Sequence, residues 1–299
     1  MSETVIRTQG LTKDYGHGRG VFGVDLAIRR GEVFGYVGTN GSGKTTTIRA
    51  LMGFVRPTAG TASLLGRDCW SDAALNMESV SYVPGEVAFP DLRTGTEFLR
   101  SQARFLGVSD FSYMNHLIEA LQLDPTAPLK RMSKGMKQKT AIVAALMGRR
   151  EVLILDEPTT GLDPLMRDAF LDLVREEKDA GRTVFMSSHI FEEMEEVCDR
   201  VAMIRDGRIL GIVDLAELRR SSHRTYTIDF GNALDAHTFA ERMPEARMTA
   251  ETGCGAAIEA PQTACLFAAL AGLDVRALSE RQTTLEDLFL KAYEQQGAE

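Results

Sequence analysis

Between Gly38 and Thr45 the chain reads GTNGSGKT, which meets the pattern G-x-x-x-x-G-K-[ST] at every fixed position. Glycines let a backbone wrap with its N–H groups pointing inward, in conformations that side chains would forbid. Such donors, together with the positive end of a following helix, bind phosphate oxygens. The expected cradle is the backbone of Gly38, Thr39, Asn40, Gly41, Ser42 and Gly43, continued by Thr46 in the helix. Lys44 is expected to reach the β- and γ-phosphates, and the Thr45 hydroxyl to hold Mg²⁺. A plain glycine turn before a helix needs neither the Lys-Thr ending nor a buried strand ahead of it. The loop alone leaves GTPases, kinases, recombinase-like motors and transporter ATPases all open.

A second constellation narrows the choice. VLILDEPTTGLDP places Asp156 and Glu157 at the C-terminal end of an apolar run, where parallel α/β sheets open their ligand crevice. Adjacent carboxylates there suit different tasks. Asp156 is the Mg²⁺ partner, directly or through a metal-bound water, and Glu157 is free to polarise an attacking water.

The elements that must position these groups follow from hydrophobic periodicity. Residues 4–8 and 24–28 alternate as edge or hairpin strands, and Glu32–Val37 reads as a buried strand entering the glycine loop. A helix is expected from about Lys44 to before Pro57, and amphipathic runs at Glu97–Leu106 and Tyr113–Leu121 within a mostly helical 94–123. Ser133 opens a further helix. Glu151–Leu155 reads as a short strand, apolar from Val152 onward, as in a parallel sheet covered on both faces. A helix over about Pro164–Ala180, a strand at Thr183–Ser187 and a helix at IFEEMEEVCD complete an α/β core. After the polar break RRSSHR at 219–224, a small α+β segment is expected: strands at TYTIDF and DVRALSE, and helices near 237–242, 261–272 and 284–294.

Composition bounds the function. The 299 residues are 44% apolar and 25% charged, ordinary for a globular protein, with net charge −8. Residues 222–299 carry 12 acidic against 6 basic side chains, so this tail is a poor surface for phosphates or anionic lipid. The acidic balance also speaks against nucleic acid as a partner. Cys69, Cys198, Cys254 and Cys265 form no CxxC pair and no Cys/His cluster, and are expected as reduced, mostly buried thiols. The opening MSETVIRTQG lacks the basic-then-apolar order of a secretory signal. Apolar runs such as Ala141–Met147 are far below the roughly 20 residues that span a bilayer, so any membrane work is expected to need another chain.

With these motifs in order, residues 4–215 resemble the nucleotide-binding subunits of ABC transporters. MSKGMKQK at 132–139 is similar to the family's LSGGQ-like signature, matching it at Ser133 and Gly135 and departing at Lys134 and Met136. GLDP resembles the D-loop, with Asp163 as its carboxylate. His189 after VFMSS resembles the switch histidine, and Tyr15 in LTKDYG the aromatic that stacks on adenine. The resemblance implies that Ser133 and Gly135 act on the ATP held by an opposite subunit. It further implies that Asp163 links the two sites and that His189 contacts the γ-phosphate and orders Glu157. One position departs. The family's glutamine after the strand VSYV is here Pro84-Gly85-Glu86; either Glu86 takes its place or Glu86 is a solvated loop acid. The tail, with its closing TTLEDLFLKAYE, is similar to the small C-terminal domain of bacterial drug- and antibiotic-export ATPases.

The resemblance therefore implies an α/β fold: a P-loop NTPase domain over residues 1–218, with a β-rich subdomain, a RecA-like core and a helical subdomain at about 86–150. A small α+β domain follows over 222–299. It implies an ATPase using ATP and Mg²⁺, paired as a homodimer or with another ATPase subunit. That pair would lie peripherally on the cytoplasmic face of the membrane, bound to separate transmembrane permease subunits. The helical insert falls where the family receives the permease's coupling helix, so some of Phe89, Leu92, Phe98 and Phe105 are expected at that groove. Soluble ABC ATPases of ribosomes or DNA usually carry two cassettes or a long coiled-coil insert, and neither is present. A GTPase reading lacks N-K-x-D, since none of Asn40, Asn76, Asn115 and Asn232 precedes a lysine.

Overall fold

Hydrophobic alternation and glycine punctuation give the first strands, β1 (Thr4–Asp14) and β2 (Gly20–Arg29), which pair antiparallel. The computed structural model describes residues 3–220, 224–249, 254–259, 263–282 and 284–296, and the chain divides into two compact units after Leu215. In the first unit, β3 (Val33–Val37) leads through the glycine loop into α1 (Lys44–Leu51). Then come β4 (Ala59–Leu64), β5 (Arg67–Asp68), α2 (Ala73–Asn76) and β6 (Val80–Val83). The helical insert holds α3 (Gly95–Leu106), α4 (Ser112–Ala120) and α5 (Lys134–Leu146). β7 (Val152–Asp156), α6 (Pro164–Asp179), β8 (Thr183–Ser188), α7 (Phe191–Val197), β9 (Arg200–Arg205) and β10 (Arg208–Asp214) complete the unit.

Two sheets form. The antiparallel one runs β2-β1-β4-β5, and the six-stranded one runs β10-β9-β3-β8-β7-β6. All pairings of the larger sheet are parallel except the β9–β10 hairpin. Its central strands VFGYV, VLILD and TVFMSS are buried at every residue, as parallel strands covered on both faces must be. Register does the positioning: Ser187 lies opposite Tyr36 on β3 and opposite Asp156 on β7. The strand ends that carry chemistry therefore finish at one level, at the C-terminal edge.

The β9–β10 hairpin is absent from the expectations above, although its signal is present. Asp206-Gly207 sits between apolar runs with φ of 47° and 75°, the left-handed pair that a two-residue hairpin turn requires. The turn also braces the phosphate loop: the Gly207 N–H donates to Ser42 O at 2.9 Å, and Phe22 N–H donates to Gly207 O at 2.8 Å. The insert is tied to the core by polar groups: the Tyr113 hydroxyl donates to buried Glu177, and the Arg149 guanidinium lies 4.5 Å from the Tyr113 ring centroid. Of the insert's apolar residues, Phe98 is buried against Phe89, whereas Phe105 is 84% exposed.

The helix α8 (Leu215–Arg220) begins at the division. The second unit contains β11 (Arg224–Phe230), α9 (Ala233–Arg242), β12 (Arg247–Thr249), β13 (Gly255–Glu259), α10 (Thr263–Leu270), β14 (Val275–Gln282) and α11 (Leu285–Gln296). Its antiparallel order β12-β13-β11-β14, with helices after the first and third strands, is the split βαβ arrangement of ferredoxin-like domains. Tyr226, Ile228, Phe230, Phe239, Ile258 and Leu266 build its own core. β12 and β13 were not foreseen, because RMT is three residues long and GAAIE is too small and glycine-led to read as a strand. Of the four thiols expected in burial, Cys69 and Cys198 are buried, Cys254 is half-buried and Cys265 is exposed.

Gly35 shows how closely α7 packs on β3. A Cβ there would lie 2.8 Å from Met194 Sδ and 2.9 Å from Cys198 Sγ. Gly35→Ala should therefore destabilise the first unit by about 1–3 kcal/mol, measured by denaturant unfolding; an unchanged midpoint would mean that α7 yields freely.

Candidate functional site

The loop between β3 and α1 is built around backbone that tolerates no side chain. Gly43 adopts φ of 110°, and a Cβ on it would meet Val21 Cγ1 at 2.7 Å. A Cβ on Gly38 would meet Ile204 O at 2.2 Å. The side chain of Lys44, only 4% exposed, folds back into the loop. Its ammonium donates to Gly38 O at 2.7 Å and Thr39 O at 3.1 Å, and stands 3.2 Å from Glu157 Oε1. The loop is fixed to the strand below it by Tyr36, whose buried hydroxyl pairs with Thr47 Oγ1 at 3.1 Å.

Across the crevice, Ser187 organises both carboxylates. Its hydroxyl donates to Asp156 Oδ1 at 2.7 Å and accepts from the Glu157 N–H at 3.0 Å. Asp156 is 1% exposed, and burial raises its pKa above the usual carboxylate value, opposed by hydrogen bonds from Ser187 and Thr45. Glu157 has φ of 46°, a left-handed conformation rare for a non-glycine residue and concentrated at functional sites. Its carboxylate lies 3.3 Å from His189 Nδ1 and accepts from the Thr160 hydroxyl at 3.4 Å.

These groups surround a cavity of about 810 Å³. Of the residues singled out from the sequence, Tyr15, Asn40, Gly41, Gly43, Lys44, Thr45, Thr46, Asp156 and Glu157 line it. Gly38, Thr39 and Ser42 lie in the loop behind this lining, and His189 meets the site through Glu157. Glu86 lines the cavity, whereas a Cβ on Gly85 would point at Asp156, 3.5 Å from Oδ2. Ser133, Gly135 and Asp163 are outside the lining. Ser133 is exposed and caps α5, accepting from the Met136 N–H at 3.2 Å. Asp163 caps α6 in the same way through Met166 N at 3.0 Å. Gly135 packs against the Gly161 carbonyl, where a Cβ would come within 2.7 Å. Sequence reasoning missed Arg19, Arg49 and the Asp206-Gly207 turn in the wall; single arginines carry no spacing signal, and the turn was legible only as a hairpin.

The arrangement fits a polyphosphate and a hard cation. Two glycines have no room for a Cβ, a buried lysine faces inward, and the Ser42 hydroxyl is buried without a partner. Among the described residues no three His, Cys, Asp or Glu side chains gather as a metal cage. Thr45 and Asp156 instead offer the sparse oxygen set with which Mg²⁺ is held beside substrate phosphates.

The comparisons with known proteins agree in kind. The ABC transporter family model matches residues 21–160. The chain is 32% identical to the bacitracin transport ATP-binding protein BcrA of Bacillus licheniformis, over 74% of this chain and 73% of that one. It is 33% identical to the daunorubicin/doxorubicin resistance ATP-binding protein DrrA of Streptomyces peucetius, over 95% and 91%. A solved structure described as the ATP-binding subunit of an ABC transporter superposes with a TM-score of 0.66 at 30% identity, covering 73% of this chain and 92% of that one.

The buried Asp156 carboxyl has a consequence for stability. Its folded pKa is raised above the unfolded value near 3.8, so the stabilisation from its protonated form is full below that value. It is lost as pH rises through the folded pKa. Asp156→Asn should therefore melt higher than the natural protein at neutral pH, measured calorimetrically without nucleotide, and the difference should close in acid; a lower neutral midpoint would contradict the assigned cost of burial.

Proposed function

The chain belongs to the ATP-binding subunits of ABC transporters; from that premise we propose the roles of its residues and the partners it works with. It binds and hydrolyses ATP, and couples that hydrolysis to transport through membrane-spanning partner chains. Among the described residues no helix is long and apolar enough to cross a membrane. The observation that carries the proposed mechanism is the convergence of Lys44, Asp156 and Glu157 on one cavity, with His189 set against Glu157.

On this reading the γ-phosphate competes with Glu157 for the Lys44 ammonium. The carboxylate, released from its cation, then takes the proton of the attacking water as the water oxygen bonds to the γ-phosphorus and the bond from that phosphorus to the β–γ bridging oxygen breaks, ADP leaving. His189 steers Glu157 and contacts the γ-phosphate. Mg²⁺, held by Thr45 and Asp156, would neutralise charge on the β- and γ-oxygens. Tyr15 is exposed and at the cavity edge, open to stacking by adenine. Lys134, the first residue of α5, borders the cavity of its own chain, but Ser133 stands outside that lining and exposed, which supports service of its hydroxyl to a second copy's ATP: a serine-capped helix start is an anion site. The active form is accordingly a dimer with two shared sites.

We further place the protein on the cytoplasmic face of the membrane, as an exporter of drugs or antibiotics, after relatives whose names carry bacitracin transport and daunorubicin/doxorubicin resistance. A groove of about 520 Å³ on the helical insert, edged by Leu92, Arg93, Glu97, Arg100 and Arg104, with three arginines against one glutamate, supports docking of a permease helix with acidic side chains.

Glu157→Gln should keep ATP binding, lower turnover by about 10²–10⁴-fold, and accumulate an ATP-bound dimer in size-exclusion chromatography; retained turnover would remove Glu157 from the role of base. Ser133→Arg should abolish hydrolysis while each monomer still binds ATP. If that variant turned over normally, the shared-site arrangement would be wrong.

A further inference from the structure

Glu193 belongs to none of the motifs above, yet this carboxylate on α7 is only 2% exposed. Both the Thr159 hydroxyl and the Ser188 hydroxyl donate to its Oε2, each at 3.0 Å. Its Oε1 has no hydrogen-bond partner and lies 3.9 Å from Arg167 Nε. Burial pushes its pKa up, and the two hydroxyls, Arg167 and His189 oppose that shift. An apolar side chain would fill such a place without the cost of desolvating a carboxylate, so the contacts it makes are its distinguishing feature.

Those contacts lie on three segments that carry the proposed chemistry. Thr159 is two residues beyond Glu157. Ser188 immediately precedes His189, and its hydroxyl also accepts from the Ile190 N–H at 3.0 Å, closing the chain around the histidine. Arg167 is in the first turn of α6, its N–H bonded to Asp163 O at 2.9 Å. The Thr159 segment is held from the other side by α5, where buried Gln138 donates to Pro158 O at 2.9 Å. A single carboxylate oxygen thus joins the segment bearing the base to the segment bearing the switch histidine.

We propose that Glu193 is a positioning residue for hydrolysis: by tying Thr159 to Ser188 it holds Glu157 and His189 in one mutual geometry, so that the two move as a unit. This rests on the reading of Glu157 as the base. The function required of Glu193 is acceptance of two hydroxyl protons at one oxygen. Glutamine retains that capacity through its amide oxygen; methionine, of similar length, loses it.

The test uses the full chain, with ATP affinity and binding stoichiometry measured beside single-turnover hydrolysis. Glu193→Met should lower kcat per bound site by about 10–100-fold with ATP affinity changed by less than about twofold. Glu193→Gln should restore the rate to within about threefold of the natural protein. A merely structural role would reduce binding stoichiometry and leave kcat per bound site intact, and that result overturns the proposal. So does equal loss in both variants, which would assign the effect to charge. Where Glu193→Met does not fold, Thr159→Val combined with Ser188→Ala removes the two donors instead; lost kcat with retained affinity supports the tie, and an unchanged rate overturns it. Glu157→Gln is measured alongside. Full turnover there removes the base and this proposal together, whereas loss there with a normal Glu193→Met rate removes the proposal alone.

Discussion

The Ser187 hydroxyl is the point on which the site hangs. Its oxygen donates to the Asp156 carboxylate and accepts from the Glu157 backbone N–H, so one hydroxyl ties together two residues whose carboxylates sit in different environments. Asp156 is held inside the sheet, where desolvation raises its pKa. Glu157 is turned out of it by a left-handed backbone, into contact with Lys44 and His189. A left-handed glutamate is sustained only where surrounding bonds over-determine it, and here the Glu157 N–H is caught between the Ser187 hydroxyl and the Ser187 carbonyl. The parallel register that sets Ser187 opposite Asp156 makes this possible. Sheet topology, and not the local sequence DE, separates the two acids into different jobs.

Much of this was legible in the chain itself. The phosphate loop announces its own geometry because lysine, threonine and the glycines each answer a separate physical demand. The strand VFGYV reads directly as buried and VLILD as parallel, and nine of the residues singled out from the sequence line the cavity. The failures have common causes. β4, β5 and β12 are short or polar. The β9–β10 hairpin carried an Asp-Gly turn that periodicity alone overlooked. Ser187 and Glu193 were illegible for a deeper reason: a serine inside an apolar strand and a glutamate in the run EEMEE acquire meaning only from what the fold brings opposite them.

Ser133, Gly135 and Asp163 illustrate a different limit. Each has a complete local explanation: Ser133 and Asp163 cap helices, a task worth about 1 kcal/mol, and Gly135 allows α5 to approach the Gly161 carbonyl. Local duty and proposed duty do not compete, because a capped helix start still offers its remaining N–H groups outward. Sequence motifs cannot distinguish a residue that finishes its own helix from one that also finishes a neighbour's site; on the proposed shared-site arrangement the same atoms do both when two copies meet.

The Lys44–Glu157 contact links these observations. The Glu157 carboxylate, 3.2 Å from the buried Lys44 ammonium, is held by that cation. On the proposed mechanism, a triphosphate entering the loop offers Lys44 several oxygens of higher charge, and Glu157 is freed for the attacking water at the moment its substrate is in place. The γ-phosphate then also lies within reach of His189, which is held to Glu157 rather than to the loop. Nucleotide and base are thus exclusive partners of one lysine, while base and switch are joint partners of one another. Catalytic readiness under this scheme is a consequence of which acceptor Lys44 holds, and needs no large movement of the strands beneath it.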